Sequence, residues 1–394
     1  MGYNGQSETG GPVSRDDSRS CYLSIAKGLV LCVALILTAL IAIASECPAR
    51  AETKHQQVEK ALPSDIVEKY YNYLAQYKAR HIDRGGTVEA VLDDATKSRV
   101  VRYYGHGDSQ GWTGLTMSGF AFQGDWDLVR TNLSYWPLLE IEPGKYKRFP
   151  EHADDDPDPT SIDQYGEMIM GIAAVWLLGP EDLKREVAQI TRNIIVYGNA
   201  NDWQMGKGPY VDCNDIRFLF QLLSMKMGLG VDTYIPGEDF DKARARFFLQ
   251  FKKAVLVRQT PRYYTLNLFF ERLFTAKLLY PELPGLDDEI KDWYKVVRKD
   301  DDTMFDWFAA RAAGRDVSFV EAKLRAFPPD LPNEWAQNGG YNVNYRWERS
   351  PEQKAEPPSG ASVERTGMDL LVLASYYSYF KLHDFGEYIS ERKP

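Results

Sequence analysis

DQYGEMIMGIAAVWLL, Asp163–Leu178, is the stretch whose reading decides the fold. Asp163 opens a run that is apolar or small on most faces. Such a helix touches neighbours all round and belongs inside a helical protein rather than on its surface. Similar stretches recur along the chain. Asp108 opens DSQGWTGLTMSGFAF, Asp215 opens DIRFLFQLLSMKMG and Asn267 opens NLFFERLFTAKLLY. Ser318 then opens SFVEAKLRAF and Asp369 opens DLLVLASYYSYF. The intervals are 55, 52, 52, 51 and 51 residues. A period of that length fits helix, turn, helix and turn, so the chain reads as six stacked helical hairpins. Six hairpins can close into a ring, an all-α (α/α)6 toroid, with one helix of each pair inside. The six opening residues would then gather at one mouth.

The segments between these stretches suit an outer layer. Glu181–Tyr197, Phe240–Val257 and Asp287–Val297 carry their apolar residues mostly on one face, and Leu62–Tyr77, ahead of them all, has helical spacing. Runs of period-two alternation are lacking, so no strands are expected. Loops rich in Pro, Gly and aromatics fall at 140–160, 201–214 and 327–360, where binding usually resides on a rigid scaffold.

Gly28–Ser45 (GLVLCVALILTALIAIAS) carries no charge and follows Arg15, Arg19 and Lys27. It reads as a signal-peptide core or a membrane anchor, with Pro48-Ala49-Arg50-Ala51 offering a peptidase site. The basic flank places everything after Ala51 across the membrane, in the periplasm or cell envelope. The expected organisation is a cytoplasmic tail over 1–27, the leader over 28–45, a linker over 46–61 and the helical domain over 62–385.

The net charge of −9 opposes nucleic acid as a partner. Cys213 is the one cysteine within the helical domain, so no disulfide is expected there. The five histidines show no ligand spacing and no nucleotide-binding glycine pattern occurs, so no cofactor or metal is expected. Asp154-Asp155-Asp156-Pro157-Asp158 lacks the spacing of a calcium loop and reads as a solvated acidic loop.

The candidate chemistry lies in the carboxylates. Asp108, Asp163, Asp212 and Asp215 would meet at the mouth, where neighbouring acids push their ionisations apart and separate an acid from a base. Glycoside hydrolysis uses such a pair, ~5–5.5 Å apart for retention and ~6.5–9.5 Å for inversion. The competing role for each Asp is helix capping. Asp163 is the first choice, because Thr160 and Ser161 can cap that helix themselves, with Asp108, Asp215 or Glu364 as partner. Glu364, Arg365 and Asp369 form a second cluster in SGASVERTGMDLL; there Arg365 can clamp a sugar carboxylate or balance its neighbours. Aromatic rings at Trp112, Trp203, Tyr264 and Tyr341 suit stacking on sugar faces, and Asn267, Arg365 and Asp369 complete the expected substrate contacts.

Period, acid placement and aromatic loops together resemble the six-hairpin glycosidase superfamily over about residues 62–385. The resemblance implies a polysaccharide or oligosaccharide as partner, and hydrolysis, elimination or epimerisation as chemistry. The reading is an exported glycoside hydrolase. The first alternative is a polysaccharide lyase with Tyr263, Tyr264 or His106 as base and Asn267 neutralising charge. The second is a non-catalytic, membrane-tethered component of glycan synthesis or export.

Overall fold

The computed structural model describes residues 56–93, 99–104, 108–208, 211–252, 263–299, 302–331, 363–364 and 366–387. By its contacts the chain divides into Met1–Thr53 and Lys54–Pro394. The first unit, and with it the leader over 28–45, lies outside the described residues. So do His106, Tyr341 and Arg365, and the side chains of Tyr263 and Tyr264. No helix among the described residues is long and apolar enough to cross a membrane.

Helices dominate the second unit. After α1 (Gln56–Ala61) and α2 (Ser64–Arg80) come the short strands β1 (Ile82–Asp83), β2 (Gly86–Thr87), β3 (Glu89–Leu92) and β4 (Val100–Tyr104). Then follow α3 (Ser109–Gln123), α4 (Trp126–Leu133), the hairpin of β5 (Glu140–Glu142) and β6 (Lys145–Tyr146), α5 (Ile162–Leu178), α6 (Glu181–Ala200) and α7 (Arg217–Met227). The chain continues through α8 (Phe240–Lys252), α9 (Tyr263–Leu279), α10 (Leu286–Val297), α11 (Thr303–Ala312), α12 (Phe319–Ala326), β7 (Val363–Glu364) and α13 (Met368–Leu382).

The two kinds of helix alternate as their sequences require. Every residue of α3 is buried, and in α5 and α13 nearly every one is. The amphipathic helices instead bury a stripe: Leu286, Ile290, Trp293 and Val297 in α10, and Leu183, Val187, Ile194 and Ile195 within that of α6. Among the buried helices, α3 packs against α5 and α13, α5 against α7 and α9, and α11 against α13. Aromatic rings fill the space between α9, α11 and α13, where Phe274 lies 4.7 Å from Tyr376 and 5.9 Å from Trp307, centroid to centroid.

Three features depart from the sequence reading. Ser318 does not open a buried helix: it precedes α12, which buries only Val320 and Leu324. The buried helix of that pair is α11, whose cap is Asp302, accepting from Met304 N at 3.0 Å and Phe305 N at 3.3 Å. Helix α1 occupies the end of the expected linker and packs on α13 and α3. Strands also occur. β3 pairs antiparallel with both β4 and β7, and Ala90 lies opposite Glu364, which fastens the segment before α13 to the segment after α2.

Glycines let α3 and α5 approach closely. A methyl group on Gly114 would lie 2.5 Å from both Glu167 O and Met168 Cα, and one on Gly171 would lie 2.5 Å from Gly114 O. Backbone cannot give way as a flexible side chain can. Gly114→Ala is therefore expected to destabilise the protein by about 1–3 kcal/mol, as overpacking does. The check is thermal or urea unfolding; an unchanged midpoint would contradict this crossing.

Candidate functional site

The openings of α3 and α5 bring two acids into one hydrogen-bonded network, and a third acid, Asp215, stands before α7 with a partner of its own. Asp108 precedes α3, and its Oδ1 accepts from Gln164 Nε2 of α5 at 3.2 Å. Arg148 Nη1 lies 3.5 Å from the same oxygen, while Arg148 Nη2 donates to Ser161 Oγ. Ser161 in turn donates to Asp163 Oδ1, which also accepts from Gln164 N at 3.0 Å. Arg148 thus links the first acid to the second.

Asp215, two residues before α7, faces Arg272 Nη2 of α9 at 3.7 Å. The thiol of Cys213 senses this neighbourhood. Burial pushes its ionisation well up, the charges of Asp212, Asp215 and Asp163 push it further, and Arg272 opposes them. Asp163, Asp215 and Arg272 therefore lie within electrostatic reach of one sulfur. Asp212 is held as a turn former, accepting from Asn214 N at 2.9 Å and Asn214 Nδ2 at 2.8 Å.

Helices α9 and α5 also carry two buried glutamates that pattern reading passed over. Glu271 of α9 is buried and accepts from Asn267 Nδ2 at 2.7 Å. A methyl group on Gly166 would lie 3.3 Å from Glu271 Oε2. Gly166 is three residues after Asp163, the spacing that puts two positions on one face of a helix about one turn apart. The absence of a side chain at Gly166 thus leaves room for the Glu271 carboxyl about one turn below Asp163. Glu167, also buried, presses its Oε2 against Gly111 of α3. Tyr376 of α13 feels Glu271: burial raises its ionisation, and the glutamate charge adds to that, against the hydrogen bond to Ser118. Each glutamate was visible in the sequence as an acidic side chain within a mostly apolar stretch, while its packing against another helix was not.

The other expected residues are distributed differently. Glu364 lies in a buried cluster at the C-terminal end of α2. Arg80 Nε reaches its Oε1 at 2.5 Å, Arg80 Nη2 reaches Oε2 at 3.3 Å, and His81 Nε2 lies 3.0 Å from Oε1. His81 Nδ1 faces the Val88 carbonyl at 2.9 Å, which can only accept, so that nitrogen carries a proton. Trp203 is fully buried, with Nε1 donating to Asn199 Oδ1 at 3.0 Å and the Arg217 guanidinium 5.7 Å from its ring centroid. Trp112 is buried within α3. Asp369 is the second residue of α13 and partly buried.

Among the described residues no group of three or more His, Cys, Asp or Glu side chains is placed to hold a metal ion. The chain matches no protein-family model, and a sequence search against curated proteins returns no match.

Proposed function

We propose that this protein hydrolyses a glycan outside the cytoplasm, and that its helix pairs close into an (α/α)6 ring with the acids at one mouth. Ring closure is supported by the packing of α13, from the end of the chain, on α3, from its beginning. The observation that carries the functional reading is the buried Glu271 carboxyl packed against Gly166 of α5, one helical turn along from Asp163.

Hydrolysis of a glycosidic bond needs one carboxylate to act as base or nucleophile and one carboxyl to protonate the departing oxygen. Asp163, oriented by the Ser161 hydroxyl and the Gln164 amide, takes the first role. Glu271, buried and positioned by Asn267, takes the second. Asp108, joined to Asp163 through Arg148 and Ser161, holds sugar hydroxyls. Glu364, enclosed by Arg80 and His81, fastens β7 and α13 to α2 instead of contacting substrate.

The test is a panel of envelope and extracellular polysaccharides incubated with the full-length protein, assayed for new reducing ends. Reducing ends without unsaturated sugar are expected. Unsaturated ends would transfer the site to elimination, with Asn267 neutralising charge, and intact polymer throughout would overturn the catalytic reading.

A further inference from the structure

Arg272 is the unexplained charge of this site. It projects from an apolar helix, its side chain is only 4 % exposed, and its partner Asp215 stands at 3.7 Å. Arg–carboxylate pairs normally close to about 2.7–2.9 Å with two parallel hydrogen bonds. Here the guanidinium donates no hydrogen bond to a described residue, and the Phe269 ring lies 5.6 Å from it. A buried guanidinium carries five donors and cannot shed its charge, so leaving them unused is costly. Asp215 is 48 % exposed and free to turn toward water. The loose pair has the form of a site that holds its charge in reserve for an incoming acceptor.

We propose that Arg272 is a specificity determinant that receives the carboxylate of an acidic sugar, so that the substrate is a uronate-containing glycan. The ligand carboxylate takes both arms of the guanidinium fork, and Asp215 swings out to solvent as it arrives. Phe269 holds the plane of the fork from behind. Asp215 beside it works against an anion, which is why a buried and permanently charged residue is needed at this position and why lysine would serve less well. The identity of the ligand as a sugar rests on the glycan reading above; the preference for its carboxylate is tested separately.

The experiment measures binding of uronic-acid oligosaccharides and of the same oligosaccharides after carboxyl reduction, by calorimetry on the full-length protein. The wild type is expected to prefer the acidic form by about 10–100-fold, the worth of one charge-assisted pair. Arg272→Gln should erase that preference while retaining neutral binding, and Arg272→Lys should keep part of it. Asp215→Asn, which removes the competing carboxylate, should tighten acidic binding. It also keeps the test open if the arginine variants fail to fold. Equal binding of both forms by the wild type, or a preference that survives in Arg272→Gln, would overturn the role of Arg272 and leave the glycan reading standing. Binding of neither form would overturn both.

Discussion

Asp163→Asn is expected to lower glycan turnover about 10²–10⁴-fold, the usual contribution of a positioned base, with little change in folding. The asparagine retains an oxygen that can accept from the Ser161 hydroxyl and the Gln164 amide, so the first turn of α5 keeps its local bonds. What is lost is the charge. Its favourable interaction with the helix N-terminus is worth about 0.3–1 kcal/mol, too little to unfold a protein of this size. Turnover and stability therefore separate in this variant. A large fall in melting temperature with proportionate loss of activity would show Asp163 to be a capping residue and no more.

The second large effect lies away from the carboxyl pair and should have the opposite signature. Glu364→Ala removes the acceptor shared by Arg80 and His81, two groups at the C-terminal end of α2. The Glu364 and His81 side chains have no solvent exposure, and Arg80 has 18 %, so water cannot replace the lost carboxylate fully. Breaking a buried pair from one side typically costs about 3–5 kcal/mol, because the remaining charge is left uncompensated. Denaturant unfolding of Glu364→Ala should show a loss of that order. Glu364→Gln, which keeps one accepting oxygen, should lose less. If Glu364→Gln instead keeps full stability and abolishes turnover, Glu364 is the acid of the reaction and the assignment to Glu271 is wrong.

The opening residues of α3, α5 and α13 were legible because these helices are rich in small and apolar residues and largely free of charge, a pattern suited to burial on most faces. Helix α11 was not: Asp306 and Arg311 interrupt it, so the regular interval drew attention to Ser318 in its place. The strands were invisible for a different reason. They run two to five residues, too short for alternation to register, and β3 meets β7 across most of the chain. Asp108, Asp163 and Asp215 were singled out as candidates because they stand at or near helix starts, the very feature that also makes them natural caps. Glu271 escaped because its meaning depends on Gly166 of another helix, a contact that no local pattern encodes. Glu364 was read as a candidate acid or base beside Arg365, and its contacts with Arg80 and His81 were not legible because those residues lie more than 280 positions away in sequence.

Hydrolysis at the Asp163–Glu271 pair is tested most directly by following the oxygen of water. The full-length protein is incubated with a cleavable polysaccharide in ¹⁸O-labelled water, and the new ends are read by mass spectrometry. One labelled oxygen at each new reducing end is expected from the wild type, and almost no labelled product from Asp163→Asn over the same time. Cleavage that yields unsaturated ends without label, or labelled ends produced equally well by Asp163→Asn, would contradict the account.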